Sequence, residues 1–288
     1  MRLLFVINPR SGGKKKADPE TMVENYFRER EETIQIFRMN GQSEQEILLH
    51  HQINQFCPDC VIAAGGDGTV KMVAEQLLNT SIPMGILPTG SANGMAMELG
   101  IPAGLEAAMD IILQHKAREI DVIRIEGKGI CIHLGDIGLN ALLVKNFEQR
   151  GIRGKLGYIL SSAKTFMQRQ RLDVQIENMG MHVSRKAFMI VLANARMYGT
   201  GACINPDGDL SDGLFEVVII RQLSLKEIFK MMVRRSPFDQ QKVEIIHAKN
   251  VTITTGKKSH FQIDGEYLGK IKHVKAAIVP KALKILIP

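Results

Sequence analysis

Ala63-Ala64-Gly65-Gly66-Asp67-Gly68-Thr69 is the stretch that decides how this chain is read. Val61 and Ile62 lead into it at the end of an apolar run that reads as a buried parallel strand. Val70, Val73, Ala74, Leu77 and Leu78 follow at helical spacing. The stretch is therefore strand, glycine turn, helix start. Glycines remove the side chains that would block a close backbone approach. The unpaired N–H groups of the first helical turn then form a natural phosphate site. Asp67 adds chemistry: a carboxylate beside a phosphate has a use where a cation lies between them or a hydroxyl must lose its proton. The plainer reading is a tight turn with Asp67 as helix cap.

Toward the N-terminus, Leu3 to Ile7 reads as a first strand ending in Asn8-Pro9-Arg10-Ser11-Gly12-Gly13, with Lys14, Lys15 and Lys16 behind it. Polar glycine turns at the carboxyl ends of strands are where open α/β sheets bind ligands. Pro19 suits the first turn of a helix whose apolar stripe is Met22, Val23, Tyr26 and Phe27. Thr33 to Phe37 alternates as a second strand. Ser43 and Glu46 have capping-box spacing, opening a helix that carries Ile47, Leu48 and Ile53.

Toward the C-terminus, Ile82 to Leu87 is the next strand and runs into Pro88-Thr89-Gly90-Ser91-Ala92-Asn93-Gly94. Ser91 and Asn93 there can donate to phosphates or orient a water; the plainer role is helix capping. Met95, Met97 and Leu99 then mark a helix, the methionines as packing, and Leu105 to Leu113 marks another.

From about Ile120 helical periodicity thins and short alternating apolar runs take over: Val122–Ile125, Ile130–Leu134, Val174–Ile176, Ala187–Ala193, Leu214–Ile220, Val251–Thr255, Phe261–Ile263 and Val274–Val279. Leu156–Met167 and Leu225–Val233 read as helices within this part. The expectation is an α/β domain over residues 1–120 and a β-rich domain over 121–288, with Leu283 to Ile287 returning to the first.

Composition narrows the class. The 288 residues are 45% hydrophobic and 23% charged, as in an ordinary soluble globular protein with room for two cores. No apolar run approaches membrane-spanning length, and Met1 to Pro9 is too short and wrongly flanked for a signal peptide, so the chain reads as cytosolic. Four cysteines suggest reduced thiols; Cys57-Pro58-Asp59-Cys60 has C-x-x-C spacing but no second pair, and reads as a turn. The net charge of +7 suits an anionic partner. Nucleic acid is disfavoured, because no recognisable module appears and there is no Trp for base stacking.

Two acidic clusters lie in the second half. Pro206-Asp207-Gly208-Asp209-Leu210-Ser211-Asp212-Gly213-Leu214 offers hard oxygen ligands suited to Mg²⁺ or Ca²⁺, and equally reads as a polar turn before a strand. It is not an EF-hand loop, since the glycine is misplaced and Val218 stands where the closing Glu belongs. Gln262-Ile263-Asp264-Gly265-Glu266 ends a β run; Asp-Gly is a hairpin signal, and a carboxylate on such a turn suits phosphoryl transfer to a hydroxyl.

Taken in order, these motifs resemble the diacylglycerol kinase and sphingosine kinase catalytic-domain family in its bacterial single-chain form. The Gly-Gly-Asp-Gly-Thr run is also the mark of the wider superfamily that holds NAD kinases and 6-phosphofructokinases. Asn8-Pro9 with Ser11-Gly12, Gly65 to Thr69, Leu87 to Asn93, Ile120-Asp121, Gly135 to Ala141, Gly154 to Tyr158, Ser211 to Leu214 and Asp264 to Glu266 carry the resemblance over nearly the whole length.

It implies a three-layer Rossmann-like α/β domain hinged to a β-sandwich, and a kinase that moves the γ-phosphoryl of ATP to a lipid hydroxyl. By position, Asn8, Ser11, Gly65, Gly66, Asp67, Gly68, Thr69, Val70, Lys71, Ser91 and Asn93 would hold the nucleotide. Glu266 would accept the hydroxyl proton and Asp67 would help place catalytic Mg²⁺. Asp212, with main-chain oxygens of Asp209 and Leu214, would hold a structural Mg²⁺. Arg150, Arg153, Lys155, Lys164, Arg169 and Arg171 could bring a cytoplasmic, peripheral enzyme to an anionic membrane; a homodimer is left open.

The chain departs from the pattern at Gly94, where diacylglycerol-specific relatives commonly have Asp, at Arg38-Met39-Asn40, and at Asn140, where many relatives have Asp. Ser91 followed by Asn93-Gly94 is closer to the sphingosine kinase version. An NAD kinase is the rival enzyme, although the Asn-Glu pair of that family is missing. Phosphofructokinase lacks support without its Thr-Ile-Asp run, and a nucleotide-binding regulator is the non-enzyme alternative.

Overall fold

The apolar run before the glycine turn forms strand β3 (Cys60–Gly65), and all of its residues are buried. It pairs in parallel with β1 (Arg2–Ile7), which also pairs with β2 (Thr33–Arg38), and with β4 (Met84–Pro88), giving the order β2-β1-β3-β4. Phe5 lies beside Ile36 and Ile62, and Ala63 beside Ile86. Strands covered on both faces read as unbroken apolar runs, as Leu3 to Ile7 and Cys60 to Ala64 do. The computed structural model describes residues 1–11, 18–41, 44–142, 144, 171–198, 201–222, 224–233 and 237–288. It divides into two compact units, Met1–Ile120 with Lys281–Pro288, and Asp121–Pro280.

Among the described residues, five helices complete the first unit. In α1 (Pro19–Phe27), Asp18 caps the N-terminus by accepting from the Thr21 amide at 3.4 Å, and Val23 and Phe27 are buried, with Phe27 against Phe5. Helix α2 (Gln45–Phe56) departs from expectation. Its N-cap is Glu44, which makes no side-chain capping bond, and Ser43 lies outside the described residues. It buries Leu49 and Ile53 at i, i+4, while Ile47 and Leu48 are 70% and 49% exposed, so the apolar stripe is partly out of phase with the one read from sequence. Then come α3 (Asp67–Leu77), α4 (Gly94–Glu98) and α5 (Leu105–Gln114). In α4, Met95 packs inward, but Met97 does not. Near the C-terminus, Ile285 adds a parallel pair to Met84, and the Ile287 amide donates to the Lys116 carbonyl at 2.9 Å.

The second unit is antiparallel. Its strands are β5 (Ala117–Ile125, which begins before the division), β6 (Gly129–Cys131), β7 (Leu134–Gly138), β8 (Leu172–Asn178), β9 (Met181–Ala187), β10 (Met189–Ala193), β11 (Phe215–Ile220), β12 (Val243–Ala248), β13 (Asn250–Ile263) and β14 (Glu266–Leu286, whose end from Lys281 belongs to the first unit). The order β12-β11-β10-β7-β13 runs through the sheet, with β8 also on β13 and β9 on β8. Side chains alternate between two apolar layers. Phe215, Phe261, Ile190 and Ile253 lie in one, and Leu134, Val191, Val218 and Val243 in the other.

Several strands differ from the sequence reading. Ile130–Leu134 is not one strand, because residues 132 and 133 break it between β6 and β7. Strands β9 and β12 were not foreseen: β9 is polar and largely exposed, and its alternation shows mainly in Val183 and Ala187. Val251–Thr255 and Phe261–Ile263 join in one long β13, irregular between Thr254 and Ser259. Leu225–Met232 is helix α6. The helix expected at Leu156–Met167 and the family stretch at Gly154–Tyr158 lie outside the described residues.

Candidate active site

In the first unit the chain leaves β1 for β2 on one side and β3 for β4 on the other, so the sheet order reverses between β1 and β3. Ligands of open α/β sheets bind outside the carboxyl ends of strands at such a point. The loops after β1, β3 and β4 meet there. The Asn8 amide donates to the Ala64 carbonyl at 3.0 Å, and Asn8 Nδ2 reaches Thr69 Oγ1 at 3.4 Å. Ser11 Oγ lies 2.7 Å from Thr89 Oγ1 and donates to the Asn8 carbonyl at 2.8 Å. The Thr89 and Gly90 amides both donate to the Gly65 carbonyl, each at 3.2 Å.

The glycines are required by close approach rather than by unusual dihedrals. A Cβ on Gly65 would lie 2.2 Å from Thr69 Oγ1, and one on Gly90 would lie 2.4 Å from the Gly66 Cα. Two loop backbones thus touch where side chains would stand. Gly66 is the N-cap of α3, and α3 has no side-chain cap. The first-turn amides therefore have no side-chain acceptor, which is the arrangement that receives an anion.

Asp67 does not cap its own helix. Its Oδ1 accepts from the Met95 amide at 3.2 Å, capping the start of α4 instead. Lys71 is buried in α3. Ser91 is exposed. Asn93 holds the left-handed conformation at φ 52° and spends its Nδ2 on the Gly90 and Pro88 carbonyls, while its Oδ1 is buried without a partner. Its amide hydrogens shape the loop. Gly94, the departure noted above, is a buried first residue of α4. Of the first loop, Gly12, Gly13 and Lys14 to Lys16 lie outside the described residues.

In the second unit, Ile263 and Glu266 pair across a two-residue turn with Asp264 at φ 50° and Gly265 at φ 85°. These are the dihedrals of a type I′ hairpin, which Asp-Gly favours. Glu266 is exposed at the first position of β14. Asp264 is buried, and its carboxylate gathers the broken strand at 132–133. Oδ2 accepts from the Ile132 amide at 3.0 Å; Oδ1 accepts from the His133 and Leu134 amides at 3.0 and 3.1 Å. The Cys131 thiol adds a weaker contact to Oδ1. Asp264 is therefore an anchor that fixes the hairpin to the β6–β7 loop.

Beneath the turn, the Gly265 amide donates to Gln262 Oε1 at 2.8 Å, and Gln262 Nε2 donates to Asp136 Oδ2. Asn140 Nδ2 donates to the same oxygen at 2.6 Å. Burial pushes the Asp136 carboxyl up to about 6, against the pull of the Asn140 and Gln262 hydrogen bonds. Sequence reading missed Asp136, because a lone Asp in a glycine-rich run carries no signal. Asn140, noted as a departure, is a partner of this carboxylate.

In the Asp209–Leu214 loop, Asp209 Oδ1 accepts from the Ser211 amide and hydroxyl at 3.0 and 2.9 Å, and Asp212 Oδ1 accepts from the Leu214 amide at 2.9 Å. Asp121, at 0% exposure, accepts from the Gly213 amide at 2.7 Å and ties this loop to β5. Among the described residues no three His, Cys, Asp or Glu side chains are grouped to hold a metal ion. Of the basic residues singled out for a membrane surface, Arg171 alone is described; Arg150, Arg153, Lys155, Lys164 and Arg169 are not.

Residues 2–125 match the family model of the diacylglycerol kinase catalytic domain. Residues 136–287 match that of the YegS C-terminal NAD kinase beta sandwich-like domain. The chain belongs to the family of the YegS C-terminal NAD kinase beta sandwich-like domain, whose model covers more than half of it. The diacylglycerol kinase catalytic domain over residues 2–125 makes it a kinase by class. It is 27% identical to the diacylglycerol kinase of Bacillus subtilis (strain 168) over 220 residues, 74% of this chain and 73% of that one. It is 28% identical over 286 residues to the "Probable lipid kinase YegS" of Escherichia fergusonii, covering 95% of this chain and 93% of that one. An uncharacterized Synechocystis protein matches at 28% over 244 residues, 79% of this chain, but the match spans only 54% of that relative's length. The crystal structure of a diacylglycerol kinase from Bacillus anthracis str. Sterne superposes with a TM-score of 0.74 at 16% identity, covering 100% of this chain and 97% of that one. At that identity the likeness speaks for the fold.

Proposed function

We propose that this chain transfers the γ-phosphoryl group of ATP to a hydroxyl of a diacylglycerol- or sphingosine-like lipid, working as a cytoplasmic enzyme peripheral to the membrane. The observation that carries the reading is the contact of the Gly65–Gly66 and Gly90 backbones at an uncapped helix N-terminus. Such a cradle leaves amides for phosphate oxygens and excludes side chains from the same space. In this reading Gly65 to Lys71, with Asn8, Ser11, Ser91 and Asn93, hold the nucleotide. Glu266 takes the proton as the lipid oxygen attacks phosphorus. Phosphoryl transfer relies chiefly on such positioning and charge neutralisation.

Mg²⁺ is usually held by one or two carboxylates together with substrate phosphates, rather than by an all-protein cage. Asp67 beside the phosphate cradle fits that donor set, while Asp212 with main-chain oxygens of Asp209 and Leu214 would offer a structural ion hard protein oxygens. When bound, the ion would neutralise phosphate charge as the transition state develops.

The test is transfer of label from ATP in the presence and absence of Mg²⁺, into mixed micelles of diacylglycerol, monoacylglycerol, sphingosine or ceramide, with NAD as a parallel acceptor. Mg²⁺-dependent label in one lipid is the expected result. Label in NAD alone would overturn the reading.

A further inference from the structure

Helix α6 (Leu225–Met232) is built inside out. A surface helix in water turns its charged face outward and its apolar face to the core. Here Glu227 is 2% exposed; its carboxylate accepts from Lys230 Nζ at 3.1 Å and from the Asp239 amide at 3.2 Å. Lys230 also donates to the Pro237 carbonyl at 2.9 Å. Met231 packs against the apolar layer of Leu134, Val191 and Val218, and its carbonyl accepts from the Cys203 amide at 2.9 Å. Positions 227, 230 and 231 therefore form the inner face. Phe229, Met232 and Val233, at i, i+3 and i+4, are 64%, 57% and 41% exposed and form one outward apolar face. Lys226, also exposed, stands three residues before Phe229 on the edge of that face.

We propose that the Phe229–Met232–Val233 face is a docking surface for an anionic lipid bilayer, a proposal that rests on the lipid-kinase reading above. An amphipathic helix with its apolar face outward and a cation at its rim lies in the interface plane of such a membrane. Charge favours this occupant. The helix's one acid, Glu227, is turned inward and paired, Lys226 is exposed, and the chain carries a net charge of +7. Area disfavours a second copy of the chain. Three part-exposed side chains offer roughly 300 Å² of apolar surface, against about 800 Å² per partner in a stable protein interface. A bilayer takes up a short apolar face by itself, with a hold that scales with the buried apolar area and adds the attraction of Lys226 to anionic lipid.

The test uses the full chain and vesicles. The chain has no Trp, so Phe229→Trp makes a single fluorescent reporter at the proposed contact. With vesicles of 30% phosphatidylglycerol in phosphatidylcholine, its emission should shift to shorter wavelength, and far less with phosphatidylcholine alone. In co-sedimentation, Phe229→Ser with Met232→Ser should lower binding to the anionic vesicles at least tenfold with unchanged thermal melting. Both readouts measure binding without turnover, so they stand apart from failure of the kinase reading. An unshifted emission, or wild-type sedimentation of the double variant, would overturn the proposal. So would a wild-type dimer in solution that the double variant converts to monomer, because the face would then belong to a second copy.

Discussion

The glycine loops after β3 and β4 and the hairpin at Asp264 are both tight turns at strand ends, yet they are held differently. The loops meet backbone against backbone, Gly66 against Gly90, with the Asn93 and Asp67 side chains bracing the segment after β4, and the α3 terminus has no side-chain cap. The hairpin is held by a side chain, since Asp264 collects three consecutive amides of the 132–134 segment. The difference follows from what each turn presents. At the α3 terminus, which the proposal offers to a phosphate, no side chain caps the first turn. A turn that offers a side chain, here Glu266, can use its backbone and its neighbour's carboxylate for rigidity. Asp264 is the anchor, and Glu266, two residues on, is the exposed carboxylate to which the proposal gives the proton.

The comparison can be broken most sharply at the anchor. Asp264→Ala leaves three amides of a buried segment without an acceptor, each worth about 1–3 kcal/mol, and should cost about 4 kcal/mol of stability. Chemical denaturation reads it directly. If stability held while activity vanished, Asp264 would be chemical and the contrast would fail. Asp264→Asn, which keeps an acceptor oxygen for His133 and Leu134, should cost about half as much.

Asp136 sharpens the same side of the comparison through pH. Its folded-state carboxyl titrates near 6, above the ordinary Asp value of 3.8. A group raised on folding lends its stability below the unfolded value and loses it as pH rises through the folded one. Between about pH 4 and pH 6 the loss should approach 3 kcal/mol. Asp136→Asn, which retains an acceptor for Asn140 and Gln262, should flatten that slope in pH-dependent melting. An unchanged slope would place the titration elsewhere.

On the glycine side, Gly90→Ala drives a Cβ into the Gly66 backbone, and the loops must part. Overpacking of this kind costs about 1–3 kcal/mol, and ATP affinity should fall at least tenfold by calorimetry. Tight ATP binding by this variant would show that the cradle is not the phosphate site. The smallest effect is expected at Ser91, which is exposed and anchors nothing described. Ser91→Ala should leave melting within about 0.5 kcal/mol and weaken ATP only a few-fold. A loss as large as that of Gly90→Ala would shift the weight of binding from backbone to side chain.

The glycine side was legible in the sequence because its residues are contiguous. Gly65 to Thr69 sit between a strand run and a helical run, and the pattern names the turn. The hairpin was legible as a turn from Asp264-Gly265, but the role of Asp264 was not, because its partners lie some 130 residues away in a segment that reads as strand. Ile130–Leu134 looked continuous by hydrophobicity; the Asp264 carboxylate, absent from any local pattern, accepts the amides where the strand breaks. Ile47 and Leu48 misled for a similar reason. Several apolar residues crowd that helix, and only the packing of Leu49 and Ile53 selects its inner face. At α6 the sequence showed a helix but not its inversion, because burial of Glu227 depends on Asp239 and Lys230.

The central claim is that the glycine loops bind the nucleotide while Glu266, held on its anchored turn, moves the proton. It is tested most directly by comparing Glu266→Gln with wild type for both ATP affinity and single-turnover transfer to the accepted lipid. The account predicts transfer reduced at least a hundredfold with ATP affinity within about threefold, since general base catalysis contributes about 10²–10⁴. Transfer at the wild-type rate would contradict it, and so would loss of ATP binding in step with turnover.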